Sequence, residues 1–448
     1  MTIRHGDAAP LSPGEGAWDG AWAKLASLST VVAAHLPTAL MVYALIVWPI
    51  AFGDSEVGLS EQALGWLAAP ASKDESSLKL LAYPSLFVVS AACLLTSGAY
   101  REVPWLSPLC LTLAAFAGLA ILSSTWSLFP PDSFMRGILC ALIIATLLFA
   151  TFSARDYITI AKGLFWTFFA ITLMNVLAIF LKPPSPIGYT GIYPHKNFFG
   201  YVSALILYFA LHAFTFESRV YKLAAVPMLI LAPVFLLASQ SKTSVGLAGL
   251  APLIGVAMVV LRRWIGISPA LVVMLPAILL PFSFWIGRAA GLWDFQLINE
   301  KLLGSATLTG RTDIWNVANL LIAERPLLGW GYEAVWDKGP EGIVTKNAVG
   351  FVRIMPTAHN GYIDVFVQLG GIGLLLLLAI VTLVLIGVGR VIDVNARLGW
   401  LIASLSAFIL LHNLLESDIL ISSNQLSMMF ILFSFISLRV VRHNDGTT

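Results

Sequence analysis

Residues 361–388 have the sequence GYIDVFVQLGGIGLLLLLAIVTLVLIGV, in which Asp364 is the one charged side chain. A helix needs about 20 mostly apolar residues to cross a bilayer, because unpaired backbone groups cannot be left in hydrocarbon. This stretch is therefore predicted to span a membrane, and similar runs recur along the chain until about twelve candidates are reached. The candidate spans lie near 30–52, 78–98, 105–126, 133–153, 157–181, 197–215, 222–239, 244–261, 267–286, 361–388, 398–420 and 426–441.

The composition of the whole chain agrees with this class. Of its 448 residues, 58% are hydrophobic and 11% are charged, whereas soluble domains carry about 25% charged residues. An all-α polytopic membrane protein is therefore predicted, and a soluble fold is excluded. The formal net charge of +2 does not point to a nucleic-acid partner, and none is expected. The three cysteines lie in apolar runs without a CxxC pattern, so no disulfide framework or cysteine metal site is expected.

Lysine and arginine are unevenly shared between the two sets of short connections. One set carries Arg101, Arg155, Arg219, Lys222, Arg262, Arg263, Arg390 and Arg397, and Arg442 follows the last span. The other set carries Lys73, Lys182, Lys196 and Lys242. Because cytoplasmic loops are enriched in Lys and Arg, both termini are predicted to be cytoplasmic. The predicted organisation is 1–29 as a tail, 30–286 with nine spans, 287–358 as one large periplasmic loop, 361–441 with three spans, and 442–448 as a second tail.

The long polar loop holds an amphipathic segment. Ile314, Val317, Ala318 and Leu321 recur at helical spacing, so a helix is predicted there, with Thr312 as its N-cap and Arg325-Pro326 after its end. Arg311 would then lie just before a helix N-terminus. Its guanidinium and the free N–H groups could bind a pyrophosphate, although a structural salt bridge is a second interpretation.

The loop ends on His359-Asn360, where the chain returns to the membrane. Imidazole titrates near neutral pH, which suits it to remove a proton from a sugar hydroxyl; a hydrogen-bonded interfacial histidine is the alternative. Glu416 lies with His412, Asn413 and Asp418 near the outer end of the eleventh candidate span. Carboxylates at such depth are costly. We expect them to balance the cations, orient His359 or bind carbohydrate, unless they only join helices.

Three other outward segments carry candidate ligands for a phosphate or a sugar. His195-Lys196-Asn197 precedes the sixth candidate span, and Lys242 lies in a hydroxyl-rich turn before the eighth. Both segments open helices, whose N-termini favour anions, but each could be an ordinary helix start. Arg136 lies one turn into the fourth candidate span, where a snorkelling arginine is the simpler interpretation.

Taken in order, these segments resemble the O-antigen ligase / Wzy polymerase superfamily, from about Ser124 to Glu416. The matching segments are TWSLFP at 125–130, HKN at 195–197, SKT at 241–243, GRTDIW at 310–315, PLLGWG at 326–331 and HN at 359–360, followed by Gly370 and Gly373. The resemblance implies a GT-C-like membrane architecture, pyrophosphate binding by Lys242 and Arg311, and His359 as the base for the acceptor hydroxyl. The family often has arginine where this chain has Lys242, and lysine supplies a point charge without a bidentate fork.

The resulting prediction is a glycosyltransferase of the bacterial inner membrane that polymerises undecaprenyl-pyrophosphate-linked repeat units of an exopolysaccharide or O-antigen at the periplasmic face. His359 and Arg311 are predicted to be catalytic. The predicted substrate-binding residues are Lys242, Lys196, His195, Asn197, Arg136, Asn360 and Glu416. The reaction is expected to invert the anomeric centre and to need no metal and no cofactor.

The expected partners are the lipid-linked glycan donor, a glycan acceptor, the bilayer, a flippase and a chain-length co-polymerase. One alternative is a ligase that moves the glycan to lipid A-core. A transporter or a structural scaffold is a further alternative, but the chain has no convincing internal repeat, and no GxxxxGK[ST] phosphate loop is present for ATP.

Overall fold

A computed structural model describes residues 31–49, 77–181, 188–289, 310–422 and 424–445. Within these ranges the regular elements are all helical, which confirms the predicted all-α polytopic fold. The helices are α1 (Val31–Val47), α2 (Ser77–Thr96), α3 (Pro108–Leu122), α4 (Pro130–Ser153), α5 (Tyr157–Leu181), α6 (Lys196–Phe216), α7 (Arg219–Ser239), α8 (Lys242–Ile265), α9 (Pro269–Ala289), α10 (Arg311–Glu324), α11 (Ile343–Asn347), α12 (Gly361–Val394), α13 (Ala396–His412) and α14 (Gln425–Asp445).

Eight of the described helices are long and apolar enough to cross a membrane. Shorter apolar helices cover Val31–Val47, Ala82–Thr96 and Ala396–His412. The number of spans stays a prediction. The predicted N-terminal tail, Lys73, Lys182 and part of the predicted periplasmic loop lie outside the described residues.

The predicted eleventh span, 398–420, is too long, because α13 ends at His412. The chain turns there, and Asn413 Oδ1 accepts hydrogen bonds from the amides of Asp418 and Ile419 at 2.9 and 3.0 Å. This local hydrogen bonding competes with continuation of the helix. Glu416 and Asp418 therefore lie in a connection after the helix rather than within it.

The bundle is built around α12, which contacts α3, α8, α9, α10, α13 and α14. The pair α8 and α13 is among the most closely packed. A Cβ atom at Gly255 of α8 would lie 2.2 Å from Ser404 Oγ of α13. Lipid tails are as apolar as the helix side chains, so burying apolar surface does not drive helices together in a membrane. Helices there associate through close packing of this kind.

The arginine-rich connections come together at one end of the bundle. Arg439 near the end of α14 donates hydrogen bonds to the carbonyls of Ala154 and Arg155, and Arg262 at the end of α8 pairs with Asp393 at 2.6 Å. The opposite end holds the starts of α6, α8 and α12 and the end of α13. The candidate site residues lie at that second end.

The amphipathic helix predicted in the long loop is α10. Its buried residues are Ile314, Val317, Ala318 and Leu321, as the spacing predicts. They pack with Trp330, Val335 and Trp336 in a hydrophobic cluster separate from the main core of the bundle. The predicted N-cap is wrong, because Gly310 occupies that position with φ 82° and Arg311 is already the first helical residue. Thr312 is thus the second residue of α10, and Arg311 belongs to its first turn.

The segment that follows α10 docks onto a break in α12. Gly370 has φ 64° and ψ −166°, a conformation that glycine adopts readily and that other residues do not. The carbonyls of Val367 and Gln368 accept the amides of Trp330 and Gly331 at 3.0 and 2.8 Å. A Cβ atom at Gly370 would lie 2.2 Å from the backbone of Leu327. The PLLGWG segment and Gly370 therefore form one structural joint.

The TWSLFP segment supports the same joint. Trp126 Nε1 donates to the carbonyl of Leu328 at 3.0 Å, and Arg325 Nη1 donates to the carbonyl of Trp126 at 3.1 Å. The Arg325 guanidinium also lies 4.0 Å from the ring centre of Trp330. These contacts fasten the long loop to the connection between α3 and α4.

Candidate active site

One carboxylate gathers three of the predicted site residues. Glu416 Oε1 lies 3.0 Å from Arg311 Nη2 and 3.3 Å from Asn197 Nδ2, and Glu416 Oε2 lies 2.9 Å from His359 Nδ1. We call Asn197, Arg311, His359 and Glu416 the Glu416 cluster. The side chains of Arg311, Glu416 and His359 are 17%, 16% and 29% exposed. They are therefore shielded from bulk water but still reachable from outside.

Backbone contacts hold His359 opposite Glu416. The Gly361 amide donates to the carbonyls of Asn413 and Glu416 at 2.8 and 3.1 Å. Asn360 Nδ2 donates to the carbonyl of Leu414 at 3.1 Å, while Asn360 Oδ1 caps α12. Asn360 was predicted to bind substrate, but both ends of its amide are occupied by the protein. These hydrogen bonds join the start of α12 to the connection after α13, and a contact of Asn360 with substrate stays a prediction.

Asp364, in the first turn of α12, hydrogen-bonds to the segments that carry His359 and Glu416. Its buried carboxylate accepts the Ala358 amide at 3.1 Å and the hydroxyl of Ser417. Ala358 directly precedes His359, and Ser417 directly follows Glu416. Asp364 thereby positions both members of the His359–Glu416 pair. The sequence shows Asp364 as a charged residue in an apolar run but does not indicate this role, since its partners come from two separate segments.

The protonation state of Glu416 follows from its surroundings. Burial acts to raise the pKa of this carboxyl, but the His359 hydrogen bond and the charges of His359, His412 and Arg311 outweigh burial and lower the pKa below its ordinary value of 4.5. An ionised carboxylate only accepts hydrogen bonds, so His359 Nδ1 must carry the proton. In neutral imidazole, Nε2 is then the basic nitrogen.

The start of α10 presents polar atoms that the described residues leave without partners. Arg311 Nε and Thr312 Oγ1 are both buried and lack a hydrogen-bond partner within the described ranges. The first amides of a helix also lack intrahelical acceptors, and the helix dipole favours an anion there. This end of α10 is therefore suited to bind an anionic group. Thr312, which was predicted only as an N-cap, is a further candidate ligand.

Two predicted lysines begin neighbouring helices at the same end of the bundle. Lys196 is the first residue of α6, and His195 caps that helix, with His195 Nδ1 accepting the Asn197 amide at 3.1 Å. Lys242 is the first residue of α8 and is exposed. A Cβ atom at Gly200 of α6 would lie 2.7 Å from Ser241 Cβ, so the two helix starts are adjacent.

Arg136 is not brought to the Glu416 cluster. Its Nε lies 3.6 Å from Glu333 Oε2, and Glu333 Oε2 also accepts the hydroxyl of Ser422 at 2.8 Å. Burial raises the pKa of Glu333, although the Arg136 charge and the Ser422 hydrogen bonds oppose this rise. In the described structure Arg136 compensates a buried carboxyl, and its contact with substrate stays a prediction. The sequence does not predict this pairing, because Arg136 and Glu333 are far apart along the chain.

These features define a class: a multi-pass α-helical membrane protein with a guanidinium, an imidazole and a carboxylate joined at one end of its bundle. Residues 227–378 match the family model described as O-Antigen ligase. The chain is also 30% identical over 293 residues to the exopolysaccharide production protein ExoQ of Rhizobium meliloti (strain 1021), covering 62% of this chain and 65% of that relative.

Both comparisons support the predicted resemblance to the O-antigen ligase / Wzy polymerase superfamily. The aligned region spans slightly less than two thirds of the ExoQ relative. The matched range of the family model includes Lys242, Arg311 and His359 but ends before Glu416 and begins after Asn197. The tertiary structure alone joins those two residues to the rest of the cluster.

Proposed function

We propose that this chain is a membrane glycosyltransferase that moves a glycan from undecaprenyl pyrophosphate to a hydroxyl of a second glycan. The Glu416 cluster is the observation that carries this proposal. It combines a guanidinium for the leaving pyrophosphate with an oriented imidazole for the attacking hydroxyl. The likeness to a protein named for exopolysaccharide production favours polymerisation of lipid-linked repeat units.

The donor pyrophosphate binds at the start of α10. Arg311 Nε and Thr312 Oγ1 are available donors, and Lys242 and Lys196 supply further positive charge from neighbouring helix starts. Negative charge grows on the pyrophosphate as the bond to the anomeric carbon breaks. Preorganised cations lower the barrier because they are already in place for that charge.

The acceptor hydroxyl is activated by His359. Its Nε2 takes the hydroxyl proton while the oxygen attacks the anomeric carbon, and the imidazolium that forms is stabilised by Glu416 at 2.9 Å. One C–O bond forms, one C–O bond to the pyrophosphate breaks, and the proton is later released from His359. A single displacement inverts the anomeric centre. Asn197 supports Glu416 from the side of α6.

The location and partners of the chain follow from the distribution of its arginines and from the proposed reaction. The arginine-rich end of the bundle is proposed to be cytoplasmic, which directs the Glu416 cluster to the periplasmic face of a bacterial inner membrane. Residues 287–358 then form the periplasmic loop, with tails 1–29 and 442–448 in the cytoplasm. A flippase would supply the donor, and a chain-length co-polymerase would act on the product.

The decisive experiment is transfer by the purified chain in proteoliposomes with a synthetic lipid-linked repeat unit. Arg311→Ala and His359→Asn should each abolish chain growth. Asparagine is chosen because His359 has φ 49°, a conformation that asparagine tolerates better than alanine does. Lys346→Ala is the matched control, since Lys346 is an exposed cation of the same loop that pairs with Glu341. Near-normal transfer by both site variants would refute the assignment.

A ligase is the second candidate, because the matching family model is described by that activity. The acceptor distinguishes the two. A polymerase extends a second lipid-linked repeat unit, whereas a ligase transfers the glycan to lipid A-core. In cells that lack the gene, single core-attached repeats indicate a polymerase, and long chains stranded on the lipid carrier indicate a ligase.

A further inference from the structure

A polar cavity lies at the end of the bundle opposite the Glu416 cluster. Helix α6 starts beside the cluster and ends at Phe216, whereas α13 starts at Ala396 and ends beside the cluster. The cavity lies between that end of α6 and that start of α13, with the starts of α5 and α7 as further walls, and its volume is about 160 Å³. Polar lining residues include Lys162, His212, Glu217, Tyr221, Asn395 and Arg397.

The charge in this cavity is positive on balance. Lys162 and Arg397 face one carboxylate, that of Glu217. Within the described part of the chain, neither cation forms an ion pair. Instead Lys162 Nζ lies 5.7 Å from the ring centre of Tyr221, and Arg397 Cζ lies 5.9 Å from that of Phe216. Because these two cations contact aromatic rings rather than carboxylates, an anion can bind them without breaking a salt bridge.

A histidine adds an unused polar atom to the same cavity. His212 Nε2 is buried and has no hydrogen-bond partner among the described residues. The ring is held in place by parallel stacking on Trp400, with centroids 6.4 Å apart and an interplanar angle of 8°. A buried polar atom without a partner is costly, so a ligand oxygen or hydroxyl at this position would satisfy it. The cavity therefore combines two cations that form no ion pair among the described residues with an oriented imidazole.

We propose that this cavity binds a phosphate group with net negative charge. Its source is the headgroup of an anionic phospholipid in the adjacent leaflet or a free phosphate. Basic pockets between membrane helices bind anionic headgroups in this way. The apolar walls formed by Phe165, Phe209 and Leu401 fit the ester-linked part of a lipid. The proposal concerns a site remote from the Glu416 cluster and does not depend on the transfer reaction.

The test uses the full-length chain purified in a neutral detergent. Binding of 1-palmitoyl-2-oleoyl phosphatidylglycerol is measured by native mass spectrometry, with the matching phosphatidylcholine as the neutral lipid. The double variant K162Q/R397Q should bind phosphatidylglycerol roughly 25-fold more weakly, from roughly fivefold for each cation near the membrane surface. R219Q/R263Q removes two cations from the same end outside the cavity and should bind like the unmodified chain.

Adding inorganic phosphate separates the two sources. If phosphatidylglycerol binding depends on Lys162 and Arg397 and resists inorganic phosphate, the ligand is a lipid headgroup. If inorganic phosphate displaces the lipid and raises the melting temperature only when both cations are present, the ligand is free phosphate. Equal phosphatidylglycerol binding by K162Q/R397Q and the unmodified chain would overturn the proposal, as would equal losses in both double variants.

A second variant guards against a folding defect. Ala161 lines the cavity, and Ala161→Phe fills it without changing any charge. This variant should also lose phosphatidylglycerol binding. If Ala161→Phe folds and binds phosphatidylglycerol as tightly as the unmodified chain, the cavity is not the site, whatever the double variant does.

Discussion

Replacing Glu416 with glutamine tests the central feature of the candidate site. The substitution keeps the shape of the side chain but removes the charge that joins Arg311 and His359 at 3.0 and 2.9 Å. Arg311 and His359 contact different oxygens of the Glu416 carboxylate, and glutamine replaces one of these oxygens with an NH2 group, so only one of the two donors keeps its acceptor. The other donor then faces an NH2 group. If that donor is His359, Nδ1 loses the partner that sets its tautomer, and if it is Arg311, the guanidinium loses its counter-charge and acceptor.

The expected magnitude follows from that lost contact. A hydrogen bond to a charged group contributes about 1.5–3 kcal/mol. If the loss falls on the transition state, transfer slows by about 10- to 150-fold. The chain should still insert and fold, because the Glu416 backbone carbonyl keeps its bond to the Gly361 amide.

The pH dependence gives a second signature. The pKa of Glu416 is lowered below 4.5 in the folded chain. A carboxyl of this kind stabilises the folded state above its unfolded pKa, and the stabilisation is lost as the pH falls through the folded pKa. Unfolding of the unmodified chain should therefore become easier below about pH 4.5. Glu416→Gln should reduce this acid sensitivity.

The assay is initial-rate transfer in proteoliposomes, with thermal unfolding measured on the same preparations. Glu341→Gln is the control, since Glu341 is an exposed carboxylate of the same loop that pairs only with Lys346 among the described residues. It should leave transfer unchanged. Transfer by Glu416→Gln at the rate of this control would refute the role assigned to Glu416, as would an equal loss in both variants.

Three further predictions concern the surroundings of the site. Asp364→Asn should lower kcat about tenfold with little change in donor KM, because the His359–Glu416 pair loses its charged support; a changed KM with unchanged kcat would contradict this positioning role. Gly370→Ala should destabilise the chain by more than about 1–2 kcal/mol, since alanine at φ 64° is strained and its Cβ would lie 2.2 Å from Leu327, and thermal unfolding checks it. Transfer should continue in excess EDTA, and a loss that a divalent ion restores would show that the reaction needs a metal.

The helices could be predicted because each depends on neighbouring residues. A helix lies at every one of the twelve candidate spans, and the buried face of α10 follows from the spacing of its apolar residues. Helix ends were less predictable. Thr312 has the residue type of an N-cap, but the cap is Gly310 with its left-handed backbone, so the helix starts two residues earlier than a Thr312 cap would allow.

The site could be predicted only in part. His359 and Glu416 were recognisable as polar residues near the outer ends of apolar segments, and Arg311 as a cation at the start of the amphipathic helix in the polar loop. Their pairing was not, because Glu416 is 105 residues from Arg311, 57 from His359 and 219 from Asn197 along the chain. Arg136 shows the same limit, since Glu333 is close to it only in the folded bundle.

Residue order and hydropathy alone predict the membrane class, the approximate helix positions, the amphipathic α10 and the resemblance to the O-antigen ligase / Wzy polymerase superfamily. Each of these depends on hydropathy or residue order summed along the chain, and lipid imposes a strong length requirement on apolar runs. The folded structure is needed to see that Glu416 joins Arg311 to His359, that Asp364 contacts the segments of both His359 and Glu416, and that Arg136 faces Glu333. Those contacts depend on how each helix is rotated and how deeply it sits against its neighbours, and composition along the chain does not specify either quantity.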